Sequence, residues 1–147
     1  MPERTIATLQ AGAVVSLLEL QRHPEGGWYR ETWRHEGGQQ ERGAGTAIYY
    51  MLTEGEVSFW HCVDAAEIWH WYAGAPLRLD LSASAGDLSQ CLLGPDLMAG
   101  ERPQIIVPSG VWQSARSLGA WTLVGCTVSP AFMFSGFEIA PAGWQPA

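Results

Sequence analysis

Apolar and polar residues alternate in short runs over most of the chain, and this pattern predicts β-strands. From Thr46 onward, the runs are divided by turn-forming groups such as Glu54-Gly55-Glu56 and Pro108-Ser109-Gly110. Turns that recur about every 8–12 residues are typical of an antiparallel sandwich or barrel. A further strand is predicted over residues 26–34, followed by a polar loop. The sequence therefore indicates an all-β protein.

One helix is predicted near the start of the chain. Residues 5–20 carry apolar side chains at three- and four-residue spacing, which would form one stripe of a helix, at Ile6, Leu9, Ala13, Leu17 and Leu20. No interdomain linker or internal repeat stands out. We therefore expect a single domain over residues 1–147, with a helical lead-in over about residues 1–22 and a barrel over residues 23–140.

The composition supports an independent fold with large rings on its strands. Hydrophobic residues make up 47% of the 147 residues and charged residues only 16%, so apolar burial can offset the entropy of ordering the chain. Eight tryptophans favour strands over helices. The three cysteines are far apart in sequence, which suits reduced thiols better than a disulfide framework.

The charge excludes some classes of partner. The net charge is −7 and all eight basic residues are arginines scattered along the chain. A nucleic-acid polymer or an anionic membrane surface is therefore not expected as a partner. The first residues lack the basic segment followed by an apolar segment that marks a secretory signal. No apolar run is long enough to span a membrane. The expected location is therefore cytoplasmic.

Two segments carry residues at spacings that suggest a site. In residues 55–74 a glycine, a histidine, a glutamate and a second glycine occur at the spacing of the first cupin motif, as Gly55, His61, Glu67 and Gly74. Val63 stands where that motif has a second histidine. The segment Pro108-Ser109-Gly110-Val111-Trp112-Gln113 is similar to the second cupin motif, with Gln113 in place of its histidine.

More closely, the chain resembles a family of small bacterial and fungal cupin-like proteins of uncharacterised activity. The resemblance covers about residues 23–140. It rests on several short sequence segments, among them His23-Pro24-Glu25-Gly26-Gly27-Trp28-Tyr29-Arg30-Glu31-Thr32, Thr46-Ala47-Ile48-Tyr49-Tyr50-Met51-Leu52 and Gly100-Glu101-Arg102-Pro103-Gln104. It implies a double-stranded β-helix, the cupin jelly-roll barrel, with a pocket inside and usually a homodimer. It implies no particular reaction.

Strand alternation predicts which side chains meet inside the barrel. Side chains at i and i+2 share a face of a strand. If Glu67 faces inward, so do Trp69 and Trp71, while His70 faces outward. The predicted pocket has three polar groups and an apolar wall, formed by His61, Glu67, Gln113, Phe59, Trp69, Trp71 and Val63. On the strand over residues 26–34, Tyr29 and Glu31 share a face, but alternation alone does not say whether that face is inward.

Three functions remain open for this pocket. A metal-independent isomerase, epimerase or lyase would use His61 and Glu67 as an acid–base pair, with Tyr29 or Tyr49 as the second acid. A metal-dependent enzyme would use His61, Glu67 and Gln113 as a weak ligand set for iron, manganese or zinc. A non-catalytic protein would be either a structural module or a module that binds a small, planar organic ligand between indoles, with Gln113 and Glu31 as polar contacts. We expect no cofactor, with a weakly bound divalent metal as the alternative, and a homodimer.

Overall fold

The computed structural model describes residues 5–39, 41–84 and 86–146. The helix α1 spans Ala11–Leu18. The strands, in chain order, are β1 (Gln21–Arg22), β2 (Trp28–Arg34), β3 (Thr46–Thr53), β4 (Val57–Val63), β5 (Ala66–Gly74), β6 (Leu77–Ser82), β7 (Ser89–Leu93), β8 (Gln104–Val107), β9 (Trp112–Ser117), β10 (Trp121–Ser129) and β11 (Phe137–Ile139). Short 3₁₀ turns occupy Ile6–Thr8, Leu97–Ala99 and Phe134–Gly136.

Within these described residues, the strands form two antiparallel sheets. One sheet has the order β1-β2-β3-β10-β5-β8 and the other has the order β11-β4-β9-β6-β7. Neighbouring strands are often far apart in the chain, as β3 and β10 are, so the sheets close on each other through long connections. This arrangement confirms the predicted all-β jelly-roll barrel with one short N-terminal helix.

Strand β10 forms the centre of the larger sheet because its side chains are apolar on both faces. On the inner face, Val124 and Cys126 pack in the barrel core with Tyr50. On the outer face, Leu123 packs with Met51 under the helix. Apolar side chains on both faces of β10 are what a strand covered on both sides requires.

Helix α1 covers the outer face of the larger sheet. Val14 is buried there against Met51 and Leu123. The helix is shorter than the predicted 5–20, because Gln10 is extended before it and Glu19 adopts a left-handed conformation after it, with φ 56°. In the described ranges, no helix combines the length and the apolar character that crossing a membrane would need.

Candidate functional site

A cavity of about 50 Å³ lies inside the barrel, between the two sheets. A buried water needs about 10–15 Å³ by this measure, so the cavity has room for several waters or for a ligand group of a few atoms. Its lining combines titratable side chains with aromatic ones. It consists of His23, Glu25, Tyr29, Glu31, Thr46, Ile48, His61, Val63, Glu67, Cys126, Val128, Phe132, Phe134 and Phe137.

Glu25 enters the barrel from the turn between β1 and β2. Gly26 has φ 99°, and a Cβ built at this position would lie 2.2 Å from the Val57 carbonyl oxygen, so only glycine fits there. The Tyr50 hydroxyl donates a hydrogen bond to the Gly26 carbonyl, and the Phe59 amide donates to the Glu25 carbonyl at 2.8 Å. These contacts attach the turn to β3 and β4 and direct the Glu25 side chain inward.

Glu25 forms a buried ion pair with His61. The distance from Glu25 Oε2 to His61 Nε2 is 2.8 Å, and both side chains are buried. The other ring nitrogen, His61 Nδ1, lies 2.7 Å from the Phe59 carbonyl oxygen, so both ring N–H groups have acceptors. The imidazolium form is therefore the one that the surroundings satisfy.

The ion pair also determines the two pKa values. Burial alone would lower the pKa of His61, but the charge of Glu25 and its hydrogen bond outweigh burial and raise that pKa to about 9. Burial alone would raise the pKa of Glu25, but the positive charge of His61 and the hydrogen bond between them lower it. Both groups are therefore charged at neutral pH.

Glu67 is held by a chain of hydrogen bonds from two other strands. Trp69 Nε1 donates to Gln113 Oε1 at 2.8 Å, and Gln113 Nε2 donates to Glu67 Oε1 at 2.8 Å. An indole N–H can only donate, so the Gln113 oxygen must face Trp69 and its amino group must face Glu67. Gln113 therefore orients Glu67, and its amide is fully engaged within the protein.

Glu67 differs from Glu25 in its protonation. Burial raises the pKa of Glu67, the charge of His61 opposes this and the charge of Glu25 adds to it, which leaves the pKa at about 7. The thiol of Cys126 also contacts this carboxyl group, and burial raises the pKa of that thiol well above its ordinary value. Glu67 can thus gain or lose a proton near neutral pH.

His23 adds a neutral imidazole to the cavity. Its Nδ1 accepts the backbone N–H of Glu25 at 3.0 Å, so the remaining proton is on Nε2. Burial lowers the pKa of His23; the charge of Glu25 opposes this and the charge of His61 adds to it. The ring packs edge-on against Tyr29, with 4.4 Å between centroids.

Five of the residues predicted from sequence line this cavity, namely His61, Val63, Glu67, Tyr29 and Glu31. The inward face of β2 is therefore the one that carries Tyr29 and Glu31. Glu31 lies at the rim, where its carboxylate accepts from Arg34 Nε at 2.6 Å. The predicted contact between His61 and Glu67 is replaced by the His61–Glu25 ion pair.

Phe59 does not line the cavity, although it was predicted to share a face with His61. The pairing of β4 with β9 shifts register between Ser58 and His61. This irregularity turns both Ser58 and His61 inward and leaves Phe59 56% exposed. Simple alternation fails at this point because one strand contains an irregularity that its partner lacks.

Four other predicted residues also lie outside the cavity lining, namely Gln113, Trp69, Trp71 and Tyr49. Trp69 is fully buried in the core, where its indole supports Gln113. Trp71 donates its indole N–H to the Ala75 carbonyl at 3.3 Å, at the end of β5. Tyr49 packs on the outer face near α1. Of the two tyrosines on β3, Tyr50, which was not predicted as a site residue, is the one that faces inward.

An aromatic cap closes one side of the cavity. Phe132, Phe134 and Phe137 pack edge-to-face, with centroid separations of 5.0, 5.5 and 6.0 Å. The segment that carries them is held at its start, since Arg34 Nη1 donates to the Phe132 carbonyl at 3.0 Å and Arg42 Nε donates to the Ala131 carbonyl at 2.7 Å. We refer to these three phenylalanines as the aromatic cap.

The donor set does not fit a transition metal. Both nitrogens of His61 are engaged, Val63 offers no donor, and the Gln113 amide is bonded at both ends. Over residues 5–39, 41–84 and 86–146, no three His, Cys, Asp or Glu side chains are grouped so that they could hold a metal ion. The predicted alternative ligand set of His61, Glu67 and Gln113 is therefore not arranged as one.

Glu25, Tyr50 and the aromatic cap were not among the site residues predicted from the sequence. Glu25 was present beside His23 in the segment His23-Pro24-Glu25-Gly26-Gly27. Two adjacent glycines after a glutamate were a signal for a tight turn, but nothing local shows that this turn folds into the barrel. Tyr50 was hidden beside Tyr49, because the phase of β3 depends on which face the helix covers.

Two of the solved structures to which this chain is similar are of comparable length. A protein from Shewanella oneidensis, known from an X-ray crystal structure, is 39% identical; the match covers 90% of this chain and 85% of that chain, with a TM-score of 0.86. A hypothetical protein from Leishmania major is 28% identical, with 90% of this chain and 88% of that chain covered and a TM-score of 0.82.

A more distant likeness concerns the fold alone. Oxalate decarboxylase from Bacillus subtilis is 17% identical over 80% of this chain and 29% of that chain, with a TM-score of 0.61. No curated protein matches the chain significantly. The family described as Cupin_5, Cupin superfamily (DUF985), matches residues 12–140. With its jelly-roll barrel and with this match over most of its length, the chain belongs to the Cupin_5 family of the cupin superfamily.

Proposed function

We propose that the barrel binds a small organic molecule and carries out metal-independent proton transfer on it, of the isomerase or lyase type. The observation that carries this proposal is the pair of buried carboxyl groups in one cavity, of which Glu25 is ionised and Glu67 has a pKa of about 7. Groups whose surroundings separate their pKa values in this way are the usual basis of acid–base catalysis.

Glu67 is the proton-transferring group in this proposal. A general base is most effective when its pKa lies near the working pH, which is the case for Glu67 at about 7. Gln113 holds one carboxylate oxygen and leaves the rest of the group to face the cavity. Removal of a proton next to a ligand carbonyl would be followed by its return to a neighbouring carbon or by loss of a leaving group.

Two side chains are available as hydrogen-bond donors to such a ligand. His23 carries its proton on Nε2, because Nδ1 accepts from the Glu25 amide. Tyr29 lines the same cavity and packs against the His23 ring. Either group can stabilise the negative charge that develops on a ligand oxygen while Glu67 removes a proton.

The His61–Glu25 pair supports the site from behind. Its two charges cancel, and the other ring nitrogen of His61 is bonded to the Phe59 carbonyl. In this arrangement His61 is a positioning residue, which sets the electrostatic field at Glu67 without moving a proton itself. A second role as a metal ligand is not favoured, since its ring nitrogens are already engaged.

The first experiment is native mass spectrometry of freshly purified protein treated with a chelator. We expect a retained small molecule in the wild-type protein, its loss in Glu67→Gln, and its retention in Glu54→Gln, which removes an exposed carboxylate outside the cavity. The released molecule is then incubated in D₂O with each variant. Proton transfer by Glu67 is supported if the wild-type protein incorporates deuterium into the ligand and this incorporation increases with pH, with a midpoint near pH 7. Equal incorporation by wild type and Glu67→Gln contradicts it.

We also propose a homodimer through the outer face of β5 and β8. Tyr72 and Ile106 are exposed on these strands, at 48% and 59%, and the His70 ring stacks on Tyr72. Strand β8 is the edge of its sheet, and exposed edges commonly require cover. Light scattering at about tens of micromolar, a concentration at which a modest interface assembles, should give twice the chain mass, and Ile106→Glu should give a monomer.

A further inference from the structure

We infer that the ligand of this cavity is a small organic cation, a primary or methylated ammonium compound, whose charged head lies between Glu67 and the aromatic cap. This inference rests on the proposed function, since it names the chemical class of the molecule that the cavity binds. It follows from three features of the cavity lining: its cationic side chains are already paired, one carboxylate faces the cavity, and aromatic rings line the same cavity.

Within the described part of the chain, the lining offers no free positive charge to an anionic ligand. His61 is the charged imidazole, and both of its N–H groups are directed to protein acceptors, Glu25 and the Phe59 carbonyl. His23 is neutral because its Nδ1 accepts the backbone N–H of Glu25 and therefore carries no proton. Arg34, at the rim, is bonded to Glu31 and to the Phe132 carbonyl. A ligand carboxylate or phosphate would lose its hydration without gaining a cation.

Negative charge, in contrast, is available to a cationic ligand. The lining contains three carboxyl groups, and Glu25 and Glu31 each have a cationic partner, His61 and Arg34. Glu67 is bonded only to the neutral groups of Gln113 and Cys126. Among the described residues, Glu67 is therefore the cavity carboxylate that still lacks a direct cationic partner. A bound ammonium group would supply that partner inside a low-dielectric space, where attraction between charges is strong.

The aromatic cap provides the second element of a cation site. Phe132, Phe134 and Phe137 line the same cavity as Glu67, together with the Tyr29 ring. Aromatic faces attract ammonium groups through the negative potential above the ring, and groups of several rings recognise methylated ammonium compounds. The exposed position of Phe134, at 58%, places part of the cap at the entrance, where it can contact an incoming ligand.

A positive charge is also compatible with proton transfer. An ammonium group beside a carbon atom makes the C–H bonds of that carbon more acidic, so a base of moderate strength can remove the proton. The electrons of the broken C–H bond then remain on the ligand, delocalised into a neighbouring carbonyl, while the proton moves to Glu67.

The test compares three probes that are alike in size but differ in charge: ethylammonium, ethanol and acetate. Each is titrated into ¹⁵N-labelled protein at pH 8, at constant ionic strength with a chelator present, and backbone amide shifts of cavity residues are followed. We expect saturable shifts with ethylammonium at an affinity at least about tenfold above that of either other probe, because one charge pair at close range is worth more than this factor in a buried site.

Three variants locate the interaction. Glu67→Gln should weaken ethylammonium binding about tenfold or more, and Glu54→Gln, outside the cavity, should leave it unchanged. Phe134→Leu replaces a ring that is 58% exposed by an apolar side chain, so we expect the fold to tolerate it. The variant should weaken ethylammonium binding several-fold while leaving ethanol binding unaffected. This last variant tests the inference even if Glu67→Gln folds poorly.

The outcomes separate the ligand class from the proposed function. Binding of acetate or ethanol at the cavity as tightly as ethylammonium would overturn the cationic ligand and leave the proposed function standing. Ethylammonium binding that is unchanged in both Glu67→Gln and Phe134→Leu would also overturn it. Absence of cavity shifts with all three probes would contradict both proposals.

Discussion

Glu25 and Glu67 are two buried carboxyl groups of one cavity, and they behave in opposite ways. Glu25 is 5% exposed and Glu67 is 7% exposed, so burial acts on both to nearly the same extent. The pKa of Glu25 is nevertheless lowered and that of Glu67 is raised to about 7. Burial therefore does not decide the protonation state of a carboxyl group in this barrel.

The difference lies in the partners. Glu25 contacts a histidine whose other N–H is already satisfied, so the pair forms a closed unit with no net charge. Glu67 contacts a neutral amide, and the nearest cation already has a carboxylate of its own. A closed pair stabilises the fold, whereas a carboxyl group without a cation is available to a ligand. The following experiments test this distinction.

The largest effect is expected from breaking the closed pair. Glu25→Gln removes the counter-ion of His61 and should lower the free energy of unfolding by about 3–5 kcal/mol. This is the usual cost of removing one member of a buried ion pair and leaving the other charge buried without a partner. His61→Gln should cost a similar amount. The double variant should be more stable than the sum of the two losses predicts, as measured by urea denaturation, because no buried charge then remains. Additive losses would show that the two residues are not coupled.

The pair also gives a defined pH dependence. Because the pKa of His61 in the folded protein is about 9, above its ordinary value of 6.5, the stabilisation is fully present below pH 6.5 and is lost as the pH rises through about 9. On the acid side it is lost as Glu25 becomes protonated. NMR titration of the His61 ring in wild type and in Glu25→Gln measures this directly, and the His61 pKa should fall in the variant.

The second effect concerns Glu67 and has the opposite sign. Its folded-state pKa of about 7 lies above its ordinary value of 4.5, so the folded protein binds the proton more tightly than the unfolded chain does. Wild-type stability should therefore fall, relative to Glu67→Gln, as the pH rises from 4.5 through about 7, by about 3 kcal/mol in all. Melting curves of both proteins between pH 4 and pH 8 measure the difference. A constant difference over this range would exclude a raised pKa.

A smaller effect is expected at the turn that carries Glu25. Tyr50→Phe removes the hydroxyl that donates to the Gly26 carbonyl and should cost about 1 kcal/mol, the usual contribution of one buried hydrogen bond. Tyr49→Phe, on the outer face, is the matched control and should cost less. Chemical denaturation of both variants provides the comparison. Equal losses would mean that the inward tyrosine does not hold the turn.

The smallest effect is expected at the rim. Glu31→Gln removes the partner of Arg34, but both side chains are about one third exposed, at 36% and 35%, so water screens the pair. The loss of stability should be between 0 and about 1 kcal/mol, as for most surface ion pairs. A loss as large as that of Glu25→Gln would show that the rim pair is part of the closed interior after all. Thermal melts at low and high salt measure it.

The sequence predicted the fold more fully than the cavity. Turn spacing and strand alternation predict the all-β class because they are local patterns. The resemblance of the segments around His61 and Gln113 to the cupin motifs implies the jelly roll. The same resemblance implies that His61 and Glu67 face inward, because alternation alone gives only which residues share a face. The partner of His61 does not follow, since Glu25 is 36 residues away and reaches it through a turn. Phe59 was placed on the wrong face because the irregularity in β4 has no clear local signal.

The turn at Gly26 has a consequence for variants of the family. The space beside Gly26 is filled by the Val57 carbonyl oxygen, so Gly26→Ala would push the turn away from β4. Glu25 would then withdraw from His61, and the ring would be left buried without a counter-ion and would lose its proton. A residue with no side chain and no charge thus sets the ionic state of the barrel interior. Relatives that lack a glycine at this position should contain a neutral histidine, whatever acidic residues they retain.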